Sequence, residues 1–243
     1  MNKTPSILVD TGFEVDQNGG LTEIIFPKVV RAINAPRKVT CEGDTINYMP
    51  STVAALQEFE FHGTAYIGTL VKQYTNLTTV YFPNCETLGQ ASSSNNGEFY
   101  GCTRLVTVNM PKLKYINCYA TDGNYGTFCN CAALNSIELP ELLTINQNQF
   151  GGVFNYCYAL TTVNFPKLQA IYGNREQGAF RSCTGLQSVT FGSEGHAVTS
   201  LHNYAFSGCT QSGLTITVYT QGGAALSGAP WGATNATIVY EEA

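Results

Sequence analysis

Residues 160–186 read LTTVNFPKLQAIYGNREQGAFRSCTGL, and this stretch recurs with edits along most of the 243-residue chain. Its skeleton is Leu160-x-x-Val163-x-Phe165-Pro166-x-Leu168-x-x-Ile171, a polar insert, then Phe180-x-x-Cys183 and the next Leu at 186. The same order appears from Leu77 to Phe99 and Cys102, from Leu105 to Phe128 and Cys131, and from Leu134 to Phe154 and Cys157. After Leu186 it appears once more, with Gly192 in place of the proline, and ends on Phe206 and Cys209. The leading leucines from Leu77 to Leu214 stand 26 to 29 residues apart. A shorter coil of about 21 residues, Leu56-x-x-Phe59-x-Phe61 with Ile67, Val71 and Tyr74, precedes them.

Each part of the unit has a physical task. Val163 and Phe165 are two apart, so in a strand they face one side while Thr162 and Asn164 face the other. Proline cannot donate to a ladder and ends the strand. Leu168 and Ile171 lie on an extended return. Phe180 and Cys183, three apart, share a face of a short helical turn. One coil cannot bury its apolar side, whereas stacked coils can, with strands in a parallel ladder about 4.8 Å apart. Some eight coils are expected, for a core of roughly 40 Å at that spacing.

The ends depart from the pattern. Leu21-x-x-Ile24-x-Phe26-Pro27 matches its opening, and the register is then lost through APRKVTCEGDTINYMPST. Terminal repeats are usually atypical because they close the core. Residues 1–55 are therefore read as an N-terminal cap with a degenerate repeat, 56–213 as the repeats and 214–243 as C-terminal cap strands, all in one continuous domain. Trp231, in a Gly/Pro/Ala-rich turn, reads as a plug over the open core, with ligand stacking as the other reading.

Composition narrows the function. With 44% hydrophobic residues the chain can bury a core, and with 12% charged residues it has about half the usual share of roughly 25%. A net charge of −5 without a basic cluster argues against nucleic acid and anionic membranes as partners. No apolar run approaches the roughly 18 residues of a membrane span, so no membrane insertion is expected. The start, MNKTPSILVDTGFEVD, has no basic segment followed by a long apolar core. Either the chain is cytoplasmic or a leader has been removed.

Five of the nine cysteines (102, 131, 157, 183 and 209) follow a Phe by three positions. Repetition at one place in the coil marks them as small buried hydrophobes rather than disulfide partners. Cys41, Cys85, Cys118 and Cys129 lie outside that series, and no paired Cys-x-x-Cys suggests zinc.

The L-x-x-V-x-F-P unit followed by F-x-x-C-x-x-L resembles the BspA-like, or Treponema pallidum-type, leucine-rich repeat over about Leu56 to Leu214. The resemblance implies a leucine-rich-repeat solenoid, α/β in class and β-rich. Short parallel strands would line its concave face, with extended segments and short helical turns elsewhere. It also implies a bacterial, extracellular or cell-surface protein that binds a host or cell-surface protein. The central inserts are longer than is usual in the family.

Two surfaces offer candidate sites. The outward strand face carries Tyr81, Asn109, Glu138 and Asn164 among Thr, Ser and Glu, and reads either as a solvated β face or as a groove for a protein or glycan. The inserts 89–98, 117–127, 146–153 and 172–179 are rich in Asn, Gly, Ser, Gln and Tyr. They read either as turns or as binding loops in which aromatics anchor and small polar groups adapt. Their candidates are Tyr119, Asp122, Asn124, Tyr125, Asn148, Phe150, Tyr172 and Arg175. Asp122 and Glu176 stand alone rather than in an acidic calcium loop.

No catalytic residue, cofactor or metal is assigned. There are three histidines, and Ser193, Glu194 and His196 are too close in sequence for a triad, which is assembled from separate segments. G-x-S-x-G, P-loop and H-E-x-x-H motifs are absent. The function expected is a non-enzymatic recognition or adhesion module. The alternative is a structural spacer within a larger bacterial surface or phage tail-associated protein.

Overall fold

The computed structural model describes residues 12–15, 21–26, 37–42, 55–66, 71–89, 97–119, 126–147, 152–173 and 178–243. Alternation of apolar and polar residues makes the strands, in chain order: β1 Gly12–Val15, β2 Leu21–Phe26, β3 Lys38–Cys41, β4 Glu58–Phe61, β5 Ala65–Tyr66, β6 Thr79–Tyr81, β7 Thr87–Leu88, β8 Thr107–Asn109 and β9 Tyr115–Cys118. They continue as β10 Ser136–Glu138, β11 Thr144–Gln147, β12 Thr162–Phe165, β13 Ala170–Tyr172, β14 Ser188–Phe191, β15 Ser200–Leu201, β16 Thr215–Thr220 and β17 Thr237–Glu242. From β4 to β15 every coil contributes a front strand and a return strand. Six coils, rather than eight, therefore have both strands among the described residues.

The return is more regular than an extended segment. It builds a second parallel sheet in the order β15-β13-β11-β9-β7-β5. The front strands form two sheets, β1-β2-β3-β4-β6-β8 and β10-β12-β14-β16-β17. All pairs are parallel except β1 with β2. The stretch in which the sequence pattern is lost contains β3, whose Val39 and Cys41 pair with Phe59 and Phe61 of β4. The apolar pair two apart is kept there, without the leucine and proline that frame it elsewhere.

The third side of each coil is a turn closed by the Phe carbonyl accepting the Cys N–H three residues on, as in Phe99 to Cys102 at 3.1 Å. The residue before the Cys has positive φ: Gly101, Asn130, Tyr156, Ser182 and Gly208. In the first four its N–H bonds to the next coil, for instance Asn130 to the Asn155 carbonyl at 2.8 Å and Ser182 to the Ser207 carbonyl at 2.8 Å. The glycine two places before Phe128 and Phe180 (Gly126 and Gly178) packs so tightly on the backbone of the following coil that a Cβ would collide with it. Stacked phenylalanines fill the core behind these turns. Phe99, Phe128, Phe154, Phe180 and Phe206 lie 5.1–5.3 Å apart between successive ring centroids, with interplanar angles of 10° or less. Offset stacking of this kind adds about 0.5–1.5 kcal/mol per pair beyond area burial.

All nine cysteines are free and buried. The repeated ones are more than space-fillers. Cys131, Cys157, Cys183 and Cys209 each donate their thiol to the carbonyl of the Phe one coil earlier, at 3.0–3.3 Å, and Cys102 donates to Val71. At the C-terminal end Trp231 is fully buried; its carbonyl accepts the Phe206 N–H and its Nε1–H donates to the Ser227 carbonyl at 3.0 Å.

Candidate recognition surfaces

Parallel register turns the outward residues of the front strands into rows. Glu60, Tyr81 and Asn109 are successive partners in one row, and Glu138, Asn164, Thr190 and Thr217 continue it beyond β8. A second row runs Glu58, Thr79, Thr107 and then Ser136, Thr162, Ser188 and Thr215. All four strand-face residues picked out from the sequence thus share one row. Glu138 accepts a hydrogen bond from Asn164 Nδ2 at 3.2 Å. At the N-terminal end Glu60 holds Lys38 at 3.1 Å and His62 Nε2 at 2.7 Å.

Both rows are cut at the same place. No ladder joins β8 to β10, and a hollow of about 490 Å³ opens there, lined by residues 106–111 together with Asn135, Ser136, Glu138 and Pro140. Asn109 and Glu138 face it from opposite banks. Val106 is 43% exposed, and Val108 is half-buried where its equivalents Val80, Ile137, Val163 and Val189 are buried. Reading the repeats as equivalent hid this seam. The signal lay in the exceptions: Val106 stands where other coils have Thr78, Asn135, Thr161 and Gln187, and Met110 and Leu139 stand where others have Phe. Thr78 and Thr161 donate their hydroxyls to the previous coil's carbonyls, Gln57 at 3.0 Å and Asn135 at 2.9 Å, and valine cannot.

The return sheet has its own outward row. Asn117, Asn146 and Tyr172 are register partners, and Asn146 Nδ2 donates to Asn117 Oδ1 at 2.9 Å. Tyr172 is 51% exposed at the end of β13, where an insert begins, and Tyr115 on the same face is 38% exposed. Tyr119 follows β9 directly and is half-buried. Asp122, Asn124, Tyr125, Asn148, Phe150 and Arg175 lie outside the described residues.

The thiols are chemically quiet. Burial pushes Cys102, Cys118 and Cys209 up to about 12 and Cys129 to about 11, so none is a thiolate at neutral pH. Ser193 Oγ and His196 Nδ1 are 3.4 Å apart within one exposed turn. Among the described residues no three His, Cys, Asp or Glu side chains gather as metal ligands, and no helix is long and apolar enough to cross a membrane.

The BspA type leucine rich repeat region matches residues 16–123 and 93–221, with six copies. No relative was found among curated proteins. Among solved structures, the Treponema pallidum leucine rich repeat protein is 21% identical, with 98% of this chain and 86% of that one covered at a TM-score of 0.49. A leucine rich cell surface protein from Faecalibacterium prausnitzii is 20% identical over 88% of this chain, which spans about half (55%) of that protein, at a TM-score of 0.48. A leucine-rich repeat protein from Bacteroides ovatus is 14% identical, covering 89% of this chain and 65% of that one at 0.37. Since the repeat is matched over most of its length, the chain belongs to the BspA-type leucine-rich repeat family, which points to a protein-interaction or surface repeat module.

Proposed function

We propose that this protein is a non-enzymatic recognition module at a cell or particle surface, binding a protein or a glycan through its outward sheet faces and the inserts that leave the return sheet. The carrying observation is the chemistry of its exposed large hydrophobic side chains. Among the described residues these are Tyr81, Tyr115, Tyr158, Tyr172 and Tyr204, each 38–51% exposed, together with Val106. Tyrosine offers a large apolar ring with a hydrogen-bonding tip and loses little entropy on binding. Around it the strand faces offer Thr, Ser and Asn, which adapt without adding charge. The buried, protonated thiols and the isolated Ser193–His196 pair support recognition over catalysis.

A double variant, Tyr115→Ala with Tyr172→Ala, tests the return-sheet surface. Neither ring supports the core, so the melting temperature should shift by no more than a few degrees. Binding to the protein or glycan first identified on arrays should fall at least tenfold. Full binding by the double variant removes that surface from the proposal. Arrays without any partner above background favour a structural spacer instead.

A further inference from the structure

The seam between β8 and β10 differs from every other front junction between β2 and β17, and the difference lies in the backbone. At closed junctions the residue before a front strand accepts from the next coil, as Thr161 accepts the Ser188 N–H at 3.1 Å and Thr78 the Thr107 N–H at 3.0 Å. The residue just after the strand donates forward, as Phe82 does to the Asn109 carbonyl at 2.9 Å and Leu139 to the Asn164 carbonyl at 3.3 Å. The corresponding bonds at the seam would join the Ser136 N–H to the Val106 carbonyl and the Met110 N–H to the Glu138 carbonyl. Neither forms. One bank therefore presents the edge of β8, the other the edge of β10, and both face the hollow. The coils are nonetheless held together elsewhere. β9 pairs with β11 over four residues, Phe128 stacks on Phe154 at 5.3 Å, and the Phe128 N–H donates to the Val153 carbonyl at 2.7 Å. Only the front is open.

We propose that this seam takes up an extended polypeptide segment carrying a lysine or arginine, which adds a strand between β8 and β10. Unpaired strand edges are templates for another chain, and strand addition draws affinity from the main chain and specificity from pockets for alternate side chains. Two edges facing one hollow can satisfy both sides of a single inserted strand. Its volume, about 490 Å³, is within the roughly 300–1,000 Å³ of ligand sites. The three residues of each bank span about 10 Å at the rise of a strand, enough for three to four residues of guest. Val106 and Val108 give that guest an apolar contact. Charge selects the rest. Glu138 lines the hollow, and among the described residues no Lys or Arg pairs with it, whereas Glu86 and Glu141 hold Lys114 and Lys167 at 3.0 and 2.8 Å. A basic guest side chain completes that missing pair.

The inference rests on the strand-face part of the recognition reading and is independent of Tyr115 and Tyr172. The probes are capped pentapeptides Thr-Val-Arg-Val-Thr and Thr-Val-Glu-Val-Thr, and the arginine peptide with alternate backbone nitrogens methylated. Titrated into the full chain, the arginine peptide should bind at least tenfold more tightly than the other two. Glu138→Lys should reverse the preference between arginine and glutamate. Binding should slow amide exchange at 106–110 and 135–139 and leave β12 to β14 unchanged. Affinity that survives backbone methylation, protection elsewhere, or no binding of any peptide overturns the seam as a strand acceptor. The arginine peptide should bind the Tyr115→Ala, Tyr172→Ala variant as tightly as the parent chain, so a failed seam and a failed tyrosine surface are told apart.

Discussion

The junction of β12 with β14 and the junction of β8 with β10 are built from the same repeat and end differently. In the first, four residue pairs from Thr162–Ser188 to Phe165–Phe191 close the front, and Phe165 stacks on Phe191 at 5.7 Å. In the second the front stays open although the return strands and the turn-side phenylalanines are joined as tightly as anywhere. A coil with three sides needs only two of them to stay in register. The third is then available for something other than stability, provided that its edges are not both greasy and long. Here they are three residues each, end on Asn109 and Glu138 and adjoin Asn135, which limits self-association.

The largest test concerns the sides that remain closed. If the seam's coils are held from behind, Phe154→Ala should cost about 3–5 kcal/mol, as large aromatic truncations in cores do. Its consequence should also differ in kind from that of Phe180→Ala, at the same turn position one coil on. Phe180 lies beside closed front ladders. Loss of Phe154 removes a main link across coils that have no front ladder, so unfolding in urea should separate into two transitions, whereas the Phe180 variant should keep one. Repeat proteins lose cooperativity where the interface between neighbours weakens. A single transition in both would mean that the open front does not weaken coupling.

A second test uses pH to load the closed side while leaving the hollow alone. Glu98 is fully buried beside the turn ladder, and burial pushes its carboxyl up to about 7, against the lowering pull of hydrogen bonds from its own backbone and Thr127. A carboxyl whose folded value is raised above its ordinary 4.5 holds its proton more tightly in the folded state. The stability this provides is complete below about 4.5, declines as pH rises towards 7, and is lost above that. The decline is on the order of 3 kcal/mol for a shift of this size. Glu98→Gln, which stays neutral, should flatten the difference in urea midpoint between pH 5 and 8 and be the more stable protein at pH 8. The peptide test at the seam should be unaffected.

The repeated skeleton made the solenoid legible because Leu, Val, Phe and Cys at fixed spacing can be buried together only by stacking. What it concealed was whatever does not repeat. β3 keeps Val39 and Cys41 without the framing leucine and proline, so the repeat skeleton does not mark it. The second sheet followed from an extended return, but its row of Asn117, Asn146 and Tyr172 depends on register, which spacing alone does not give. The thiol bonds of the repeated cysteines were invisible as well, because a carbonyl that already closes its own turn gives no sign in sequence that it accepts again. As a purely apolar filler, Cys157 would leave the hydroxyl of a serine in its place without a partner. With the Phe128 carbonyl 3.2 Å from its sulfur, that hydroxyl has an acceptor in place. The seam itself was written in three substitutions, Val106, Met110 and Leu139, which look conservative until the neighbouring coils are set beside them.

The smallest effect is the most direct measure of the difference between the two junctions. Val108 and Val163 occupy the same position in their coils, facing inward from the middle of β8 and from β12, yet Val163 is 1% exposed while Val108 is half-buried. Truncation to alanine removes the same two methyl groups at both sites. Buried, they are worth about 2 kcal/mol, from transfer together with the space left behind. At the seam part of that surface already meets water, so Val108→Ala should cost about 1 kcal/mol or less. Saturation with the arginine peptide should then widen the effect of Val108→Ala towards that of Val163→Ala, because an inserted strand covers the valine that the protein leaves half open. Equal losses at both positions without peptide would mean that the front is closed in solution. Unequal losses that the peptide does not bring together would mean that it binds without entering the seam.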